Sequence, residues 1–215
     1  MRYIAGTLCA LMLAGPAAAS VITISIDPAY GSSESTGAKA TVDIGFAENG
    51  SDDWMSLTIT NITLPALGGN LTAVGLELPA FIGSVAFAPG GTGSYFDELD
   101  LGVAIGPGHL SASGGYDVMI TSDGSFEGGN PTGAPGPNGS ETVTLNLGDT
   151  GLTPAQLLPA FDAYYAGLTT PYGVGRFQAL TVGAGSDKVL GEVPEPATLA
   201  VLLAGAALLR CRRRL

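Results

Sequence analysis

The chain has 215 residues, of which 33 are glycine and 13% are charged, and its formal net charge is −11 at pH 7. Such an excess of acid repels polyanions, which excludes nucleic acid and anionic lipid as binding partners for its surface. The two cysteines, Cys9 and Cys211, lie near opposite ends of the chain. The long segment between them therefore has to fold without disulfides.

The first nineteen residues are typical of a secretory signal peptide. Arg2 gives a positive start, residues 3–14 are mostly apolar, and Ala17 and Ala19 provide the small residues that signal peptidase requires. We expect Sec-dependent export and cleavage after Ala19, which makes residues 1–19 a removable segment. Cys9 lies too early to be a lipoprotein cleavage site, and we interpret it as a small apolar residue.

Residues 20–193 form one predicted domain whose charge is more extreme than that of the whole chain. It holds three basic residues, Lys39, Arg176 and Lys188, against eighteen acidic ones, for a net charge of −15. A segment of this length is large enough to bury a core of its own. No internal repeat divides it.

The domain is predicted to consist of short β-strands separated by glycine-rich turns. Apolar and polar residues alternate with a period of two in several segments, as expected of half-buried strands. The regular candidates are residues 40–46, 55–60, 99–105, 116–120 and 142–147, and the less regular ones are 21–26, 71–78, 83–87 and 176–182. Many short strands with this spacing favour an antiparallel β-sandwich or a jelly roll.

Two further segments interrupt the strand pattern. Residues 128–140 contain five glycines and three prolines, which predicts a long surface loop. Thr153 and Pro154 are suited to the N-cap and the first position of a helix that we expect to reach about Ala166, with a break or kink at Pro159. The sequence therefore predicts a mainly β domain with one short helix.

The C-terminal segment, residues 194–215, has three parts. Pro194, Glu195 and Pro196 come first and favour extended backbone, residues 197–209 are almost entirely apolar, and four arginines follow: Arg210, Arg212, Arg213 and Arg214. Thirteen helical residues rise about 20 Å, which is short for a hydrocarbon core of about 30 Å. The arginines place the C-terminus in the cytoplasm. A transient single-pass anchor with an exposed motif outside the membrane is the expected arrangement.

This tail resembles the PEP-CTERM sorting domain, through Val193-Pro194-Glu195-Pro196, the apolar stretch and the terminal arginines. The same tail is also labelled an ice-binding protein C-terminal domain, which we treat as a name only. The resemblance implies an exosortase-like membrane enzyme as processing partner, a Gram-negative bacterium that makes exopolysaccharide as host, and a final location at the cell surface or outside the cell.

Residues capable of chemistry are few. His109 is the only histidine and lies in a glycine-proline turn, no serine has a nucleophile elbow, and no pair of acids is singled out for glycoside hydrolysis. Asp97, Glu98 and Asp100 form the densest acidic cluster beside a strand, so they are the calcium candidates, although solvated surface acids often show the same pattern. No catalytic residue and no cofactor are predicted.

Three classes of function are compatible with these features. We favour a non-enzymatic surface or matrix protein that is processed by an exosortase and associated with exopolysaccharide. A carbohydrate-binding or adhesive module is the first alternative, in which Trp54 and the tyrosines at 95, 164, 165 and 172 would stack on sugar rings. An ice-binding domain is a minor variant of this alternative. Thr58 and Thr60, and likewise Thr142 and Thr144, put threonines on one strand face, but such pairs occur in most exposed β-strands. A secreted hydrolase is the second alternative.

Overall fold

The computed structural model describes residues 21–103, 115–124, 126 and 131–194. The signal-peptide residues, including Ala17 and Ala19, lie outside the described residues. So do His109, Glu195, Pro196, the apolar segment 197–209 and the four arginines. The structural statements below concern the described residues only.

The described chain is mainly β, as predicted. Its ten strands are β1 (Ile22–Ile26), β2 (Ala40–Asn49), β3 (Asp52–Asn61), β4 (Gly68–Leu76), β5 (Ala86–Phe87), β6 (Glu98–Val103), β7 (Tyr116–Thr121), β8 (Ser140–Asn146), β9 (Gly173–Leu180) and β10 (Ser186–Glu192). The helix α1 spans Pro154–Gly167, and three 3-10 turns cover Pro28–Tyr30, Pro65–Leu67 and Pro131–Gly133.

All ten strands belong to one antiparallel sheet in the order β5-β8-β3-β2-β1-β10-β9-β4-β7-β6. The longest pairing joins β2 to β3 over ten residues, from Ala40 opposite Asn61 to Asn49 opposite Asp52. Gly50 closes this hairpin with a φ of +70°, a conformation that glycine adopts without a steric penalty.

The sheet curls until its two ends almost meet. The amide of Phe96 donates to the Glu141 carboxylate on β8 at 2.9 Å. The amide of the next residue, Asp97, donates to the carbonyl of Thr121 on β7 at 3.3 Å. Two consecutive residues thus contact the second and the ninth strand in the sheet order. The prediction of a mainly β antiparallel domain is confirmed, and its strands form one nearly closed sheet, similar to a barrel.

The inner face of this sheet encloses one large apolar cluster. Inward-facing side chains from both halves of the sheet are fully buried in it, among them Ile24, Val42, Leu57, Val143, Val74, Val118 and Phe177. Burial of these apolar surfaces is the main stabilising contribution to the fold.

Helix α1 covers part of this core, with Leu157, Phe161 and Tyr165 buried. Phe161 packs on Phe46 of β2 with ring centroids 4.7 Å apart. Thr153 caps the helix and Pro154 opens it, as predicted. Pro159 does not break the helix, which continues to Gly167. Within the described residues, no helix is both long enough and apolar enough to cross a membrane.

Candidate functional site

The end of β10 is the described feature closest to the predicted sorting motif. β10 lies inside the sheet, between β1 and β9. Tyr172, which is 6% exposed, bonds to this end of the strand: its amide donates to the Gly191 carbonyl at 3.2 Å, and its hydroxyl accepts a hydrogen bond from the amide of Val193. The Tyr172 ring stacks on Tyr165 of α1 with centroids 4.6 Å apart. The last residues before the motif are therefore fixed on the domain.

The β-ladder ends where the motif begins. β10 pairs with β1 through Ser25 opposite Glu192, and two more residues in the same register set Pro194 opposite Thr23. Alternate residues of a strand direct their backbone groups to the same neighbour. If the ladder continued, residue 194 would have to donate its backbone N–H to β1, but a proline has no N–H. Pro194 is exposed.

The beginning of the domain lies beside this end. Val21 precedes β1 and is 54% exposed. A cavity of about 350 Å³ lies here, lined by Val21, Ile22, Thr23 and Val193 and, from α1, by Leu158, Pro159 and Asp162. Because β1 and β10 are antiparallel neighbours, both ends of the domain emerge on the same side of the molecule.

The outer surface of β1, β2, β3 and β8 forms a regular array of hydroxyl groups, which we call the hydroxyl face. Three cross-strand rows define it. They are Ser25–Thr41–Thr60–Ser140, Thr23–Asp43–Thr58–Thr142 and Gly45–Ser56–Thr144. Their spacing is about 4.8 Å between strands and about 6.7 Å along a strand.

The hydroxyl face is ordered by its own hydrogen bonds and is almost uncharged. Thr58 and Thr142 are joined at 2.9 Å, Thr60 and Ser140 at 2.8 Å, and Thr23 donates to Asp43 at 2.6 Å. Asp43 is the only ionisable residue of the three rows. On a domain with eighteen acids, this surface is suited to a neutral partner.

Trp54 is the aromatic residue at the edge of the hydroxyl face. It is half-buried and lies opposite Asn146 of β8 and Ala47 of β2, in the row that follows Ser56 and Thr144. The predicted tyrosines are not gathered beside it. Tyr165 and Tyr172 belong to the core, Tyr164 is half-buried on α1, and Tyr95 is 40% exposed. Five aromatic residues therefore do not form one sugar-binding surface.

The calcium candidates lie along β6, an edge strand. Glu98 is exposed, Asp100 is half-buried, and Asp97 precedes the strand. Leu99 and Leu101 pair with Ile120 and Val118 of β7, which belong to the core, so both leucines lie on the inner face of the sheet, although Leu101 is 56% exposed at this edge. The described residues contain no group of three or more His, Cys, Asp or Glu side chains that could hold a metal ion.

Asp187 on β10 is a buried acid that the sequence did not single out. It is 1% exposed and accepts hydrogen bonds from five donor groups of the segment 32–36. Burial alone would raise the pKa of this carboxyl, but the bonds from Thr36 and Ser32 outweigh burial and hold the pKa below the ordinary 3.8. The carboxylate fastens the 32–36 segment to the sheet.

Two other acids bind backbone amides in the same way. Asp53 accepts bonds from the amide and hydroxyl of Thr150, in the turn before α1. Glu141 accepts bonds from three consecutive amides, those of Ser94, Tyr95 and Phe96. A Cβ at Gly93 would overlap the Glu141 carboxylate, so this close approach requires glycine. The carboxylates of these acids stabilise the fold through their hydrogen bonds and are therefore not unpaired groups available for catalysis.

Comparison with protein-family models, with curated proteins and with solved structures finds no match for this chain. Its function has therefore to be argued from its own residues.

Proposed function

We propose that this protein is an exported, non-enzymatic surface or extracellular-matrix protein of a Gram-negative bacterium, sorted through its C-terminal segment. Residues 1–19 direct export and are removed by signal peptidase. Residues 194–215 hold the precursor in the inner membrane until an exosortase-like enzyme processes it at the Pro194-Glu195-Pro196 motif. The mature domain then reaches the cell surface or the exopolysaccharide matrix.

The observation that supports this proposal is the way the domain ends. Tyr172 fixes the backbone of Val193, and the ladder stops at Pro194, which is exposed. A processing enzyme needs an extended, accessible peptide, and that peptide must not be part of the folded domain. The exposed Pro194, directly after the fixed Val193, supports the proposal, because it separates the motif from the folded sheet.

Mass spectrometry of the protein recovered from its host tests the processing step. We expect no peptide containing residues 199–215 in the surface or released fraction. Replacement of Pro194, Glu195 and Pro196 by alanine should leave the precursor in the inner membrane, whereas Glu192→Ala, two residues upstream, should be processed normally. Recovery of an intact tail from the cell surface would contradict the proposal.

A second candidate function, binding of a neutral polysaccharide, is favoured by the hydroxyl face. Its hydroxyls are regularly spaced, its only ionisable residue is Asp43, and Trp54 at its edge offers a ring to a sugar. Anionic polysaccharides would be repelled by the rest of the domain. We therefore expect the exopolysaccharide partner to be uncharged where it contacts this surface.

Because Trp54 is the only tryptophan of the chain, its fluorescence reports directly on this surface. Titration with a neutral polysaccharide from the host should change the emission, and an anionic one should not. Thr58→Val with Thr142→Val should weaken the response, because it removes one hydrogen-bonded pair without changing the strand. The exposed Thr170→Val is the matched control. An unchanged affinity in the double variant would rule out the hydroxyl face as the binding surface.

A further inference from the structure

Two acids lie directly opposite each other at the end of β4. Leu76 pairs with Val118, so the next residue in this antiparallel register, Glu77, faces Asp117 of β7. Like charges in opposite positions of neighbouring strands repel each other. The two carboxyl groups lie close enough to interact, and they can form a hydrogen bond with each other only if one of them carries a proton.

The backbone around the pair is held from three directions. The Asp117 carboxylate accepts the amide of Leu78 at 2.8 Å. The hydroxyl of Tyr165 on α1 donates to the Glu77 carbonyl at 3.0 Å. The Glu77 amide donates to the Tyr172 carbonyl at 2.9 Å. Strand, helix and loop therefore meet at this position.

Among the residues that the structure describes, the titratable groups that face the pair carry no positive charge. They are Tyr116 of β7 and Tyr164 and Tyr165 of α1. Each basic residue of the described chain has a contact away from the pair. Lys39 forms an ion pair with Asp27 at 2.6 Å, and Arg176 and Lys188 contact Phe126.

The surroundings shift the ionisation of Glu77 accordingly. Burial, the negative charge of Asp117 and the hydrogen bond between the two side chains raise the pKa of Glu77 from 4.5 to about 7. Burial, followed by the charge of Glu77, also raises the pKa of Tyr116 and of Tyr164. The tyrosines therefore remain neutral while Glu77 titrates.

An open cavity of about 200 Å³ lies beside Asp117. Its wall is the loop that follows Glu77, through Leu78, Pro79, Ala80 and Ile82 to Val85, with Leu101 and Asp117 on the other side. The bond from the Leu78 amide to Asp117 attaches the start of that loop to β7. The cavity wall thus begins at a residue that is bonded to Asp117.

We propose that Glu77 and Asp117 share one proton and act as a pH-dependent latch, which holds the loop 78–85 against β7 while protonated and loosens it when both carboxylates are ionised. The folded state retains this proton at a pH where an unfolded glutamate has lost it. The pair consequently lowers the stability of the folded state as the pH rises from about 4.5 to about 7, and no further change follows above that.

Carbon-13 NMR of the side-chain carboxyl groups tests the shared proton in the full chain, purified in a nonionic detergent. We expect one titration step near pH 7 that both carboxyls sense. Asp117→Asn should lower the Glu77 midpoint, because it removes the opposing charge and leaves burial as the remaining cause. Two independent midpoints below pH 5 would overturn the proposal.

Hydrogen exchange of the Leu78 amide tests the latch. Wild type and Glu77→Gln are compared at each pH from 6 to 8.5, so that the intrinsic pH dependence of exchange cancels. Wild type should lose protection relative to Glu77→Gln as the pH rises above 7, since the neutral amide cannot repel Asp117. Glu98→Gln, which neutralises an exposed acid of β6, should behave as wild type. Equal protection of the Leu78 amide in wild type and Glu77→Gln at pH 8.5 would exclude the latch. If Glu77→Gln does not fold, the carbon-13 titration of the wild-type carboxyl groups decides alone.

Discussion

The carboxylate of Asp187 illustrates how much one residue can organise in this domain. Its five donors all come from residues 32–36, more than 150 positions earlier in the chain. Hydrogen bonds to an ionised acceptor are stronger than neutral ones. In their absence this charge, at 1% exposure, would have no means of replacing its lost hydration.

We predict that Asp187→Asn lowers the free energy of unfolding by about 3 kcal/mol, because the amide offers one acceptor oxygen and turns a donor toward the hydroxyls and amides of residues 32–36. Urea unfolding at pH 7 measures the change. Asp100→Asn on the edge strand is the matched control and should change stability by less than about 0.5 kcal/mol. A loss as small as that in Asp187→Asn would mean that the network is not a stabilising contact.

Asp187 also makes the stability of the folded domain depend on pH in the acid range. The pKa of Asp187 is below its ordinary 3.8 in the folded state, so its stabilising contribution is present above pH 3.8 and is lost as the pH falls through the folded value. Glu77 affects stability in the opposite direction. Because its pKa is raised in the folded state, its contribution is lost as the pH rises. The local sequence does not single out either acid, because acids are densest at Asp97, Glu98 and Asp100. Burial and hydrogen-bond partners far away in the chain determine which acids affect stability.

Among the elements, nine of the ten strands overlap predicted segments, and β10 is the exception. β2, β3 and β8 follow the most regular of these segments, because their inner faces are apolar and their outer faces polar. β10 was not predicted: Ser186-Asp187-Lys188-Val189-Leu190 lacks the alternation, and Asp187 takes an inward position through its hydrogen bonds. The hydroxyl face needs the register of four strands, which no single segment contains.

Glycines allow β1, β9 and β10 to pack closely at the centre of the sheet. An added Cβ at Gly173 would lie 2.9 Å from Cγ2 of Ile24, and one at Gly191 would lie 2.9 Å from Cγ1 of Ile26. Real Cβ atoms do not approach so closely in a packed interior. The isoleucines of β1 therefore occupy the space that side chains on β9 and β10 would need.

We predict that Gly173→Ala lowers the free energy of unfolding by about 1–3 kcal/mol, the usual cost of adding a methyl group to a filled core. Denaturant unfolding monitored by circular dichroism measures it. Gly167→Ala, at the end of α1 where an added Cβ meets nothing within 4 Å, is the control and should be as stable as wild type or slightly more so. Equal stability of Gly173→Ala and wild type would show that β1 can move away.

At the scale of the whole molecule, charge governs association. The domain of residues 20–193 carries eighteen acids and three basic residues and contains no cysteine. Net charge of this size keeps copies apart. The acids of the surface supply most of this repulsion.

We predict that residues 20–193 are monomeric and β-rich at pH 7 and self-associate near pH 4, where protonation removes much of the repulsion. Sedimentation velocity measures the association, and circular dichroism verifies that the β signal persists. A reducing agent should leave the melting temperature unchanged, because the domain contains no thiol. A domain that remains monomeric at pH 4 would show that repulsion is not what keeps it apart.

The central place of β10 also determines when the sheet can be completed. Chains are made from the N-terminus, so β10 is the last strand to appear, yet it joins β1 to β9 in the middle of the order. Until it arrives, β5, β8, β3, β2 and β1 form one unit and β9, β4, β7 and β6 another, each with an unpaired edge that invites misassembly. β10 is thus the strand that joins the two units of the sheet. The domain becomes a single cooperative structure only after the residues next to Pro194 have been synthesised.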